Sequence, residues 1–401
     1  LAATSEKKFN VYGFDSDELK IARLNNYQLE NSEPNLINLI KKNKKRINFT
    51  NNFKLLKKCN IVFISQDVQT NALGQGNLSK VRNLINITKK NLSKKSILVV
   101  LSQLQPGFMR KVNFSKHRLY YQVETLIFGQ GVNRALKPER IILGCQNQNH
   151  LLQKNYLSFL KKFNCPILKM SYESAEITKI AINIFLASSI TTTNVLSEVC
   201  SKISADWREI VPALQLDARI GKKAYLNPGL GISGGNIERD ISSVKKIVKA
   251  SPILTSLVGS FEKNSNYMKS WVFRKLIENK ILNKKNITFS ILGLSYKENT
   301  NSIKNSPSIK LIKQLKNENI KIYDPIARMP KKIKNCEQAS SIKQALTNAN
   351  VLIIMTPWSE FKRLNTLIRS YKKISLIIDP HGIINCKHKN KNLFKYLTLG
   401  N

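Results

Sequence analysis

Short runs of β-branched residues alternate with helical periodicity along much of the chain, and this alternation constrains the fold more than any other feature. Near the start, FNVYGFD (9–15) precedes DELKIARLN (17–25), and NIVFIS (60–65) precedes LSKVRNLINITKKNL (78–92). The pattern returns in ITFSILGL (287–294), SPSIKLIKQLKNEN (306–319), IKIYDP (320–325) and VLIIMTP (351–357). A strand, helix, strand order predicts parallel sheets with right-handed crossovers. We therefore expect an α/β protein with two doubly wound, Rossmann-like domains.

The segment between these two regions predicts one long helix. Residues 171–203 have apolar side chains at helical spacing, including Ile177, Ile180 and Ile184. At roughly 150 residues per domain, a chain of 401 residues corresponds to two or three domains. We predict a first domain over 1–168, a central helical domain over 169–265 and a last domain over 266–401.

The chain is strongly basic, with 66 Lys and Arg against 25 Asp and Glu and a formal net charge of +41. Such an excess is typical of nucleic-acid-binding proteins. Here it consists mostly of Lys spread evenly along the chain, without zinc-finger spacing or a basic helix with heptads. We interpret it as a general surface bias, expect no nucleic-acid partner, and note that a basic protein favours an anionic small substrate.

The cysteines and histidines predict a reduced protein without a metal. The six cysteines lie far apart with no CxxC pair, as expected of core residues in the cytoplasm, and the four histidines lack metal-ligand spacing. No apolar run approaches the 18 residues of a membrane span. The chain begins at Leu1, and we expect its true N-terminus to lie upstream.

Two features suggest how a nucleotide could bind. Asp15 ends an early strand, where dinucleotide-binding folds place an acid against the adenine ribose about 20 residues after a glycine loop. This interpretation puts the glycine loop upstream of Leu1; the alternative is a solvated strand end. Gly229, Gly231 and Gly234 match G-x-G-x-x-G, but no buried strand precedes them and no strand-end acid follows. We therefore interpret this match as coincidental and not as a nucleotide-binding loop.

Several further segments occur in a fixed order: VYGFDSD, NIVFISQDVQTNALGQGNLSKV, LSQLQPGF, YYQVETLIFGQGVNRALKPERIILG, SAEITKIAINIFLA, LDARIG, YLNPGLGISGGNIERD and ILGLSYKENTNSIKNSPSIKLI. They resemble motifs of the UDP-glucose/GDP-mannose dehydrogenase family in the same order, among them A-E-x-x-K-x-x-x-N-x-F-L-A, D-x-R-I-G and F-L-x-P-G-x-G-x-G-G-S-C-F-P-K-D. The resemblance covers nearly the whole chain.

The resemblance implies NAD-dependent oxidation of the C6 hydroxyl of a nucleotide-linked hexose toward the uronate, for polysaccharide precursor synthesis. The family uses two NAD per sugar and a cysteine that holds the aldehyde as a thiohemiacetal. The first domain would then bind NAD but lack its first strand and glycine loop. The central domain would carry the active-site loop and a homodimer interface, and the last domain would bind the nucleotide sugar.

The resemblance also implies roles for individual residues. The catalytic positions are Glu124, Lys179, Asn183, Asn236 and Asp240. The cofactor positions are Asp15, Lys20, Ser102 and Lys304, and the substrate positions are Arg219, Tyr225, Gly234 and Lys297. Lys179 would handle the proton on a helical face shared with Glu176 and Asn183, the alternative being an ordinary surface lysine. Arg219 matches an arginine that reaches a neighbouring subunit.

The chain departs from the family motif at its most reactive position. Asn236 stands where the family has its catalytic cysteine, and no other cysteine lies in that motif. Further departures are Gln69, Gln103, Ile127, Phe128, Asn301, Ser302 and His381. A thiohemiacetal therefore cannot form at position 236.

Three hypotheses remain open at this point. The first is a dehydrogenase that handles the aldehyde as a hydrate held by Lys179, Asp240 and Asn236. The second is a one-step alcohol–aldehyde oxidoreductase, since hydride transfer needs only cofactor, base and orientation. The third is a binding protein that lost its chemistry, against which the retained Glu124, Lys179, Asn183 and Asp240 count.

Overall fold

The computed structural model describes residues 1–29, 33–68, 76–127, 129–329, 333–385 and 393–401. The chain forms two compact units, residues 1–182 and residues 183–401. Each unit contains parallel strands with helices, which confirms the α/β fold with Rossmann-like sheets that the alternation predicts.

The first unit alternates strands and helices from its start. Its strands are β1 (Val11–Phe14), β2 (Ile47–Thr50), β3 (Ile61–Ile64), β4 (Ile97–Val100), β5 (Leu119–Gln122), β6 (Ile141–Cys145) and β7 (Ile167–Ser171). Its helices are α1 (Ala2–Glu6), α2 (Glu18–Asn25), α3 (Leu36–Lys42), α4 (Ser79–Asn91), α5 (Gly131–Leu136), α6 (Lys154–Lys161) and the start of α7 (Tyr172–Lys202). Strands β1 and β2 form a parallel pair, and β3 to β7 form a five-stranded sheet in sequence order.

One strand pair in this unit departs from the sequence prediction. Strands β5 and β6 are antiparallel, whereas every other pair in the sheet is parallel. A parallel crossover usually needs a helix long enough to cross the sheet. Among the described residues between β5 and β6, the one helix is the six-residue α5, and the chain returns alongside β5 in the opposite direction.

The core of the first unit is built on both faces of β4, whose four residues are all buried. Leu98 and Val100 belong to the same buried cluster as Val81 and Ile85, which lie one turn apart on α4. The other face belongs to a cluster with Tyr156 and Phe159 of α6. A continuous apolar strand of this kind is typical of a sheet covered by helices on both sides.

The 31-residue helix α7 begins in the first unit and ends in the second. By length and composition alone it could cross a membrane, although a buried core helix passes the same test. Three of its buried polar side chains, Glu176, Asn183 and Asn194, bind loops and helices of the protein. Such contacts are those of a helix packed against protein.

The second unit begins with helices and ends with a sheet. Its further helices are α8 (Trp207–Leu216), α9 (Asn236–Ile247), α10 (Pro252–Met268), α11 (Trp271–Glu278), α12 (Pro307–Gln314), α13 (Ile342–Leu346) and α14 (Leu364–Leu367). Its strands are β8 (Thr288–Leu292), β9 (Asn319–Tyr323), β10 (Cys336–Gln338), β11 (Val351–Ile354), β12 (Leu376–Ile378) and β13 (Lys395–Leu397).

The sheet of the second unit is parallel throughout, in the order β10-β9-β8-β11-β12-β13. This is a doubly wound order, in which strands are added first on one side of β8 and then, from β11 onward, on its other side. In such sheets ligands bind beyond the carboxyl ends of the strands where the order switches, here between β8 and β11. Helix α12 begins at Pro307 and is capped by Ser306, whose Oγ accepts the Ser308 N–H at 3.2 Å. Ser and Pro at these positions favour helix initiation.

Candidate active site

Two cofactor candidates, Asp15 and Lys20, pair with each other at the carboxyl end of β1. Lys20 Nζ lies 2.6 Å from Asp15 Oδ2, and the Asp15 N–H donates to the carbonyl of Thr50 at 3.2 Å. Both side chains are partly exposed, so their ion pair adds little to stability and leaves the carboxylate open to a ligand.

Ser102 follows β4 and is a third cofactor candidate. Its side chain is buried, and within the described part of the chain its hydroxyl has no hydrogen-bond partner. A buried hydroxyl without a partner is costly unless a ligand or water satisfies it. Together with the carboxylate of Asp15, this orphaned hydroxyl fits a polar cofactor such as NAD.

The loop that follows Ser102 is held by Glu176 of α7. The backbone N–H groups of Gly107 and Met109 donate to the two carboxylate oxygens of Glu176 at 2.6 and 2.8 Å. Burial raises the pKa of Glu176, and the two N–H donors oppose that rise. Glu176 therefore fixes a loop to α7, a role that its helical spacing with Lys179 does not reveal.

Glu124 lies just beyond β5 and close to Lys179. Glu124 Oε1 accepts the N–H groups of Thr125 and Leu126 at 2.7 and 3.0 Å. Burial raises the pKa of Glu124, while these donors and the charge of Lys179 oppose the rise. A partly buried carboxyl beside a lysine can pass a proton through a bound water. Phe128, in the same segment, lies outside the described residues.

Asp240 of α9 is buried and bound to α7. Asn183 Nδ2 donates to Asp240 Oδ2 at 2.5 Å, and the exposed fractions of the two residues are 6% and 1%. Arg239, also buried, places its Nε 3.8 Å from Asp240 Oδ1 and its Nη2 3.4 Å from Asn236 Oδ1. The guanidinium of Arg239 thus links Asp240 to Asn236, and its positive charge compensates the carboxylate of Asp240.

Arg239 was not among the residues that the sequence singled out. The signal was present, because the resembled motif ends F-P-K-D and Arg239 stands at its lysine, immediately before Asp240. In a chain with 66 Lys and Arg, the sequence alone does not distinguish a buried arginine from the many exposed basic residues.

Asn236 is the first residue of α9, and two glycines with left-handed backbone conformations precede it. A Cβ at Gly234 would lie 2.8 Å from the Tyr296 ring, and one at Gly235 would lie 2.8 Å from Lys304 Cε. The Gly234 N–H also donates to the Lys304 carbonyl at 3.2 Å. The glycines therefore allow the loop carrying Lys304 to lie directly against the start of α9.

The loop that bears Tyr225 is fixed to α7 by its backbone. Thr193 Oγ1 donates to the Tyr225 carbonyl at 2.7 Å, and Asn194 Oδ1 accepts the Gly229 N–H at 2.8 Å. The Tyr225 side chain itself is exposed. No strand occurs between α8 and α9, whose intervening residues are all described, so the glycine match at 229–234 is indeed a loop without the context of a nucleotide fingerprint.

The other two substrate candidates are less enclosed. Arg219 is largely exposed and pairs with Asp217, with Nη2 2.7 Å from Oδ2. Lys297 Nζ lies 5.9 Å above the ring of Tyr296, next to the loop that contacts Gly234. The structure thus brings Lys297, Lys304 and Gly234 to one region of the second unit.

The thiols in the described residues are free and differ in burial. Cys145 and Cys200 are buried, whereas Cys59, Cys165 and Cys336 are partly buried. Burial raises the pKa of Cys145 to about 12 and that of Cys336 to about 11, so neither is a thiolate at neutral pH. Cys386, like Gln69, lies outside the described residues.

Comparison with known families gives three matches in the order of the chain. Residues 1–160 match the UDP-glucose/GDP-mannose dehydrogenase family, NAD binding domain; residues 173–266 match its central domain; and residues 290–386 match its UDP binding domain. UDP-glucose 6-dehydrogenase of Rickettsia bellii is 30% identical over 98% of this chain and 94% of its own length. The Rickettsia typhi enzyme is 29% identical with the same coverage.

Solved structures share the fold. A UDP-glucose dehydrogenase from Pyrobaculum islandicum has a TM-score of 0.84 at 20% identity, covering 98% of this chain and 93% of that one. A UDP-D-ManNAc dehydrogenase from Pyrococcus horikoshii has the same TM-score at 19% identity, covering 100% and 95%.

Proposed function

This chain belongs to the UDP-glucose/GDP-mannose dehydrogenase family, and we propose that it oxidises the C6 hydroxyl of a UDP-linked hexose toward the uronate. The match of residues 290–386 to a UDP binding domain supports a UDP-sugar rather than another nucleotide sugar. The observation that carries the proposal is the buried cluster of Asn183, Asp240 and Arg239 beside Asn236.

NAD, when bound, accepts the hydride that leaves C6. In the first unit, Asp15 would accept hydrogen bonds from ribose hydroxyls, and Ser102 would bind the cofactor through its orphaned hydroxyl. Lys20, in the first unit, and Lys304, in the second, are the cations that we propose as ligands of the anionic cofactor. Lys297, Tyr225 and Gly234 would hold the nucleotide sugar.

The first oxidation removes a hydride from C6 and a proton from its hydroxyl. Lys179 takes the proton, directly or through a water shared with Glu124, and the product is an aldehyde. Lys179 and Asn183 lie one turn apart on α7, and this spacing supports the proposal that they act in the same reaction.

The second oxidation has to proceed without sulfur. Water adds to the aldehyde and gives a hydrate, which then loses one hydride and one proton to become the acid. Asn236, at the start of α9, donates a hydrogen bond to a hydrate oxygen. Asp240 stays buried beside Arg239. Lys179, after releasing its first proton to water, receives the second.

A second function, oxidation that stops at the aldehyde, is favoured by one observation: an amide stands at the position of the family's cysteine. Counting NADH formed per sugar, across UDP- and GDP-linked hexoses, separates the two. Two NADH per sugar support the uronate, whereas one NADH supports the aldehyde. No NADH with any sugar, despite measurable sugar binding, would support a binding protein without chemistry.

We also propose a cytoplasmic homodimer assembled on α7. Several of its exposed side chains are apolar, Phe185, Val195, Leu196 and Val199, and the exposed Ile203 follows directly after the helix. An exposed apolar stripe of this extent is typical of an interface between protein subunits. The exposed Arg219 would then reach the second copy, and sedimentation of Val199→Glu as a monomer would support the arrangement.

The division into 1–168, 169–265 and 266–401 stays a proposal as well. In it, the first segment binds NAD, the second carries the catalytic loop and the subunit interface, and the third binds the nucleotide sugar. Separate expression of 266–401, followed by titration with UDP, tests the assignment of the third segment.

A further inference from the structure

Glu238, in the first turn of α9, connects three segments of the second unit. Lys269, at the end of α10, places its Nζ 2.8 Å from Glu238 Oε1. Asn305 Nδ2 donates to Glu238 Oε2 at 2.6 Å. The side chain of Lys269 is only 9% exposed, and that of Glu238 is 24% exposed. Both carboxylate oxygens are therefore committed to partners outside α9.

The surroundings of Lys269 are positively charged, which makes the carboxylate of Glu238 important. Burial lowers the pKa of Lys310, and the nearby charges of Lys269 and Arg274 lower it further. A buried cation without its partner is strongly destabilising. Glu238 thus keeps Lys269 compensated where other cations crowd it.

The loop of residues 296–305 is attached to α9 on both sides of Asn236. On one side, the Gly234 N–H donates to the Lys304 carbonyl, and Tyr296 packs on Gly234. On the other side, Asn305 binds Glu238. The same loop carries Lys297 and Lys304, so these contacts determine where both cations lie relative to Asn236.

The contact through Glu238 is a feature of this chain. The resembled motif, G-G-S-C-F-P-K-D, has proline at this position, and proline has no side-chain group that could bind either Lys269 or Asn305. The change stands two residues after the departure at Asn236, on the same turn of helix.

We propose that Glu238 is a positioning residue for the nucleotide sugar: through Asn305 it holds the loop of Lys297 and Lys304 against the start of α9. The proposal rests on the proposed function, because it takes Lys297 as a ligand of the sugar nucleotide, on the same loop as the proposed cofactor ligand Lys304. It assigns Glu238 to substrate affinity and not to the chemical steps.

The test exchanges the donor and the acceptor of the Glu238–Asn305 bond. Asn305→Asp sets two carboxylates against each other, and we expect it to weaken UDP-glucose binding about tenfold, as loss of a charge-assisted hydrogen bond does. Asn305 is exposed, so this variant should keep its melting temperature. Glu238→Gln combined with Asn305→Asp reverses the donor and the acceptor of the bond. It also leaves an amide oxygen to accept from Lys269 Nζ and keeps one carboxylate in the same cluster, so we expect affinity within about threefold of wild type.

The matched control is Glu262→Gln, which removes the charge of another α9–α10 ion pair, Lys245–Glu262, on the solvent-exposed side. It should change neither affinity nor stability. Calorimetric titration with UDP-glucose gives the dissociation constants, and steady-state kinetics should show a raised KM with kcat little changed in Asn305→Asp. Equal affinity of wild type and Asn305→Asp, or failure of the reversed pair to recover affinity, overturns the role of Glu238. Absence of UDP-glucose binding by the wild type overturns the proposed function instead.

Discussion

Asn183 Nδ2 and Asp240 Oδ2 are 2.5 Å apart, and this hydrogen bond joins α7 to α9 in the interior of the second unit. Asp240 has Arg239 on its other oxygen, so both carboxylate oxygens have partners. A buried, fully bound carboxylate keeps one orientation. The bond therefore fixes α9, which begins at Asn236, against the part of α7 that lies in the second unit.

Asn183→Ala should destabilise the protein because it removes the donor to a carboxylate that is 1% exposed. The expected loss in the free energy of unfolding is about 1–3 kcal/mol, measured by urea denaturation. Asn86→Ala, at an exposed position of α4, is the control and should change it by less than about 0.5 kcal/mol. Equal stability of the two variants contradicts the importance of the bond.

Lys179→Ala should abolish turnover while leaving the fold intact, because it removes the amine that we propose to take the proton. The expected fall in kcat is about 10²–10⁴-fold, the usual contribution of an acid–base group. Lys161→Ala, at an exposed end of α6, is the control. If Lys179→Ala keeps more than about a tenth of the wild-type rate, Lys179 is a bystander.

Much of the fold follows from local periodicity. Val81 and Ile85 at i and i+4, and the apolar run of β4, predict a helix and a buried strand that the structure contains in the expected order. The observed order β10-β9-β8-β11-β12-β13 is of the doubly wound type that the alternation predicts, although the alternation does not specify the order itself. The antiparallel β5–β6 pair does not follow, since it depends on how short α5 is.

The candidate site is less accessible to sequence reasoning. Motif resemblance identified Asp240, Asn183 and Lys304, but not the partners that hold them. Glu176 binds a loop about 70 residues earlier in the chain, and Glu238 binds Lys269 and Asn305 far along it. Contacts between residues this far apart do not recur at a regular spacing in the sequence, so they become visible only in the folded chain.

Acid should destabilise the protein partly through His150. Its side chain is buried, and burial together with the charges of His117 and Lys169 lowers its pKa from the ordinary value of 6.5. Below about pH 6.5 the unfolded chain therefore binds a proton that the folded chain does not, and the free energy of unfolding falls as pH falls. His381, which burial shifts in the same direction, adds to the effect.

The variant His150→Gln tests whether His150 contributes to this fall in the free energy of unfolding at low pH. Urea midpoints of the wild type should decrease from pH 8 to pH 5.5, and those of His150→Gln should decrease less, because one titrating group is gone. A parallel decrease in both proteins would show that His150 takes no part in the pH dependence. Carboxylates that titrate over the same pH range contribute equally to the urea midpoints of both proteins, so their effect cancels in the difference.

Asn236→Ala should lower turnover by about 10²–10³-fold, as removal of a hydrogen-bond donor to an oxyanion does. The amide of Asn236 is a poor nucleophile, because its nitrogen lone pair is delocalised into the carbonyl, and no covalent intermediate should accumulate in the wild type. Asn236→Cys, in contrast, should allow a trapped thiohemiacetal. Mass spectrometry of protein quenched during turnover checks both statements, and the wild type serves as the control for Asn236→Cys. A sugar adduct on any of the six existing cysteines of the wild type would show that another thiol has taken the role of the missing one.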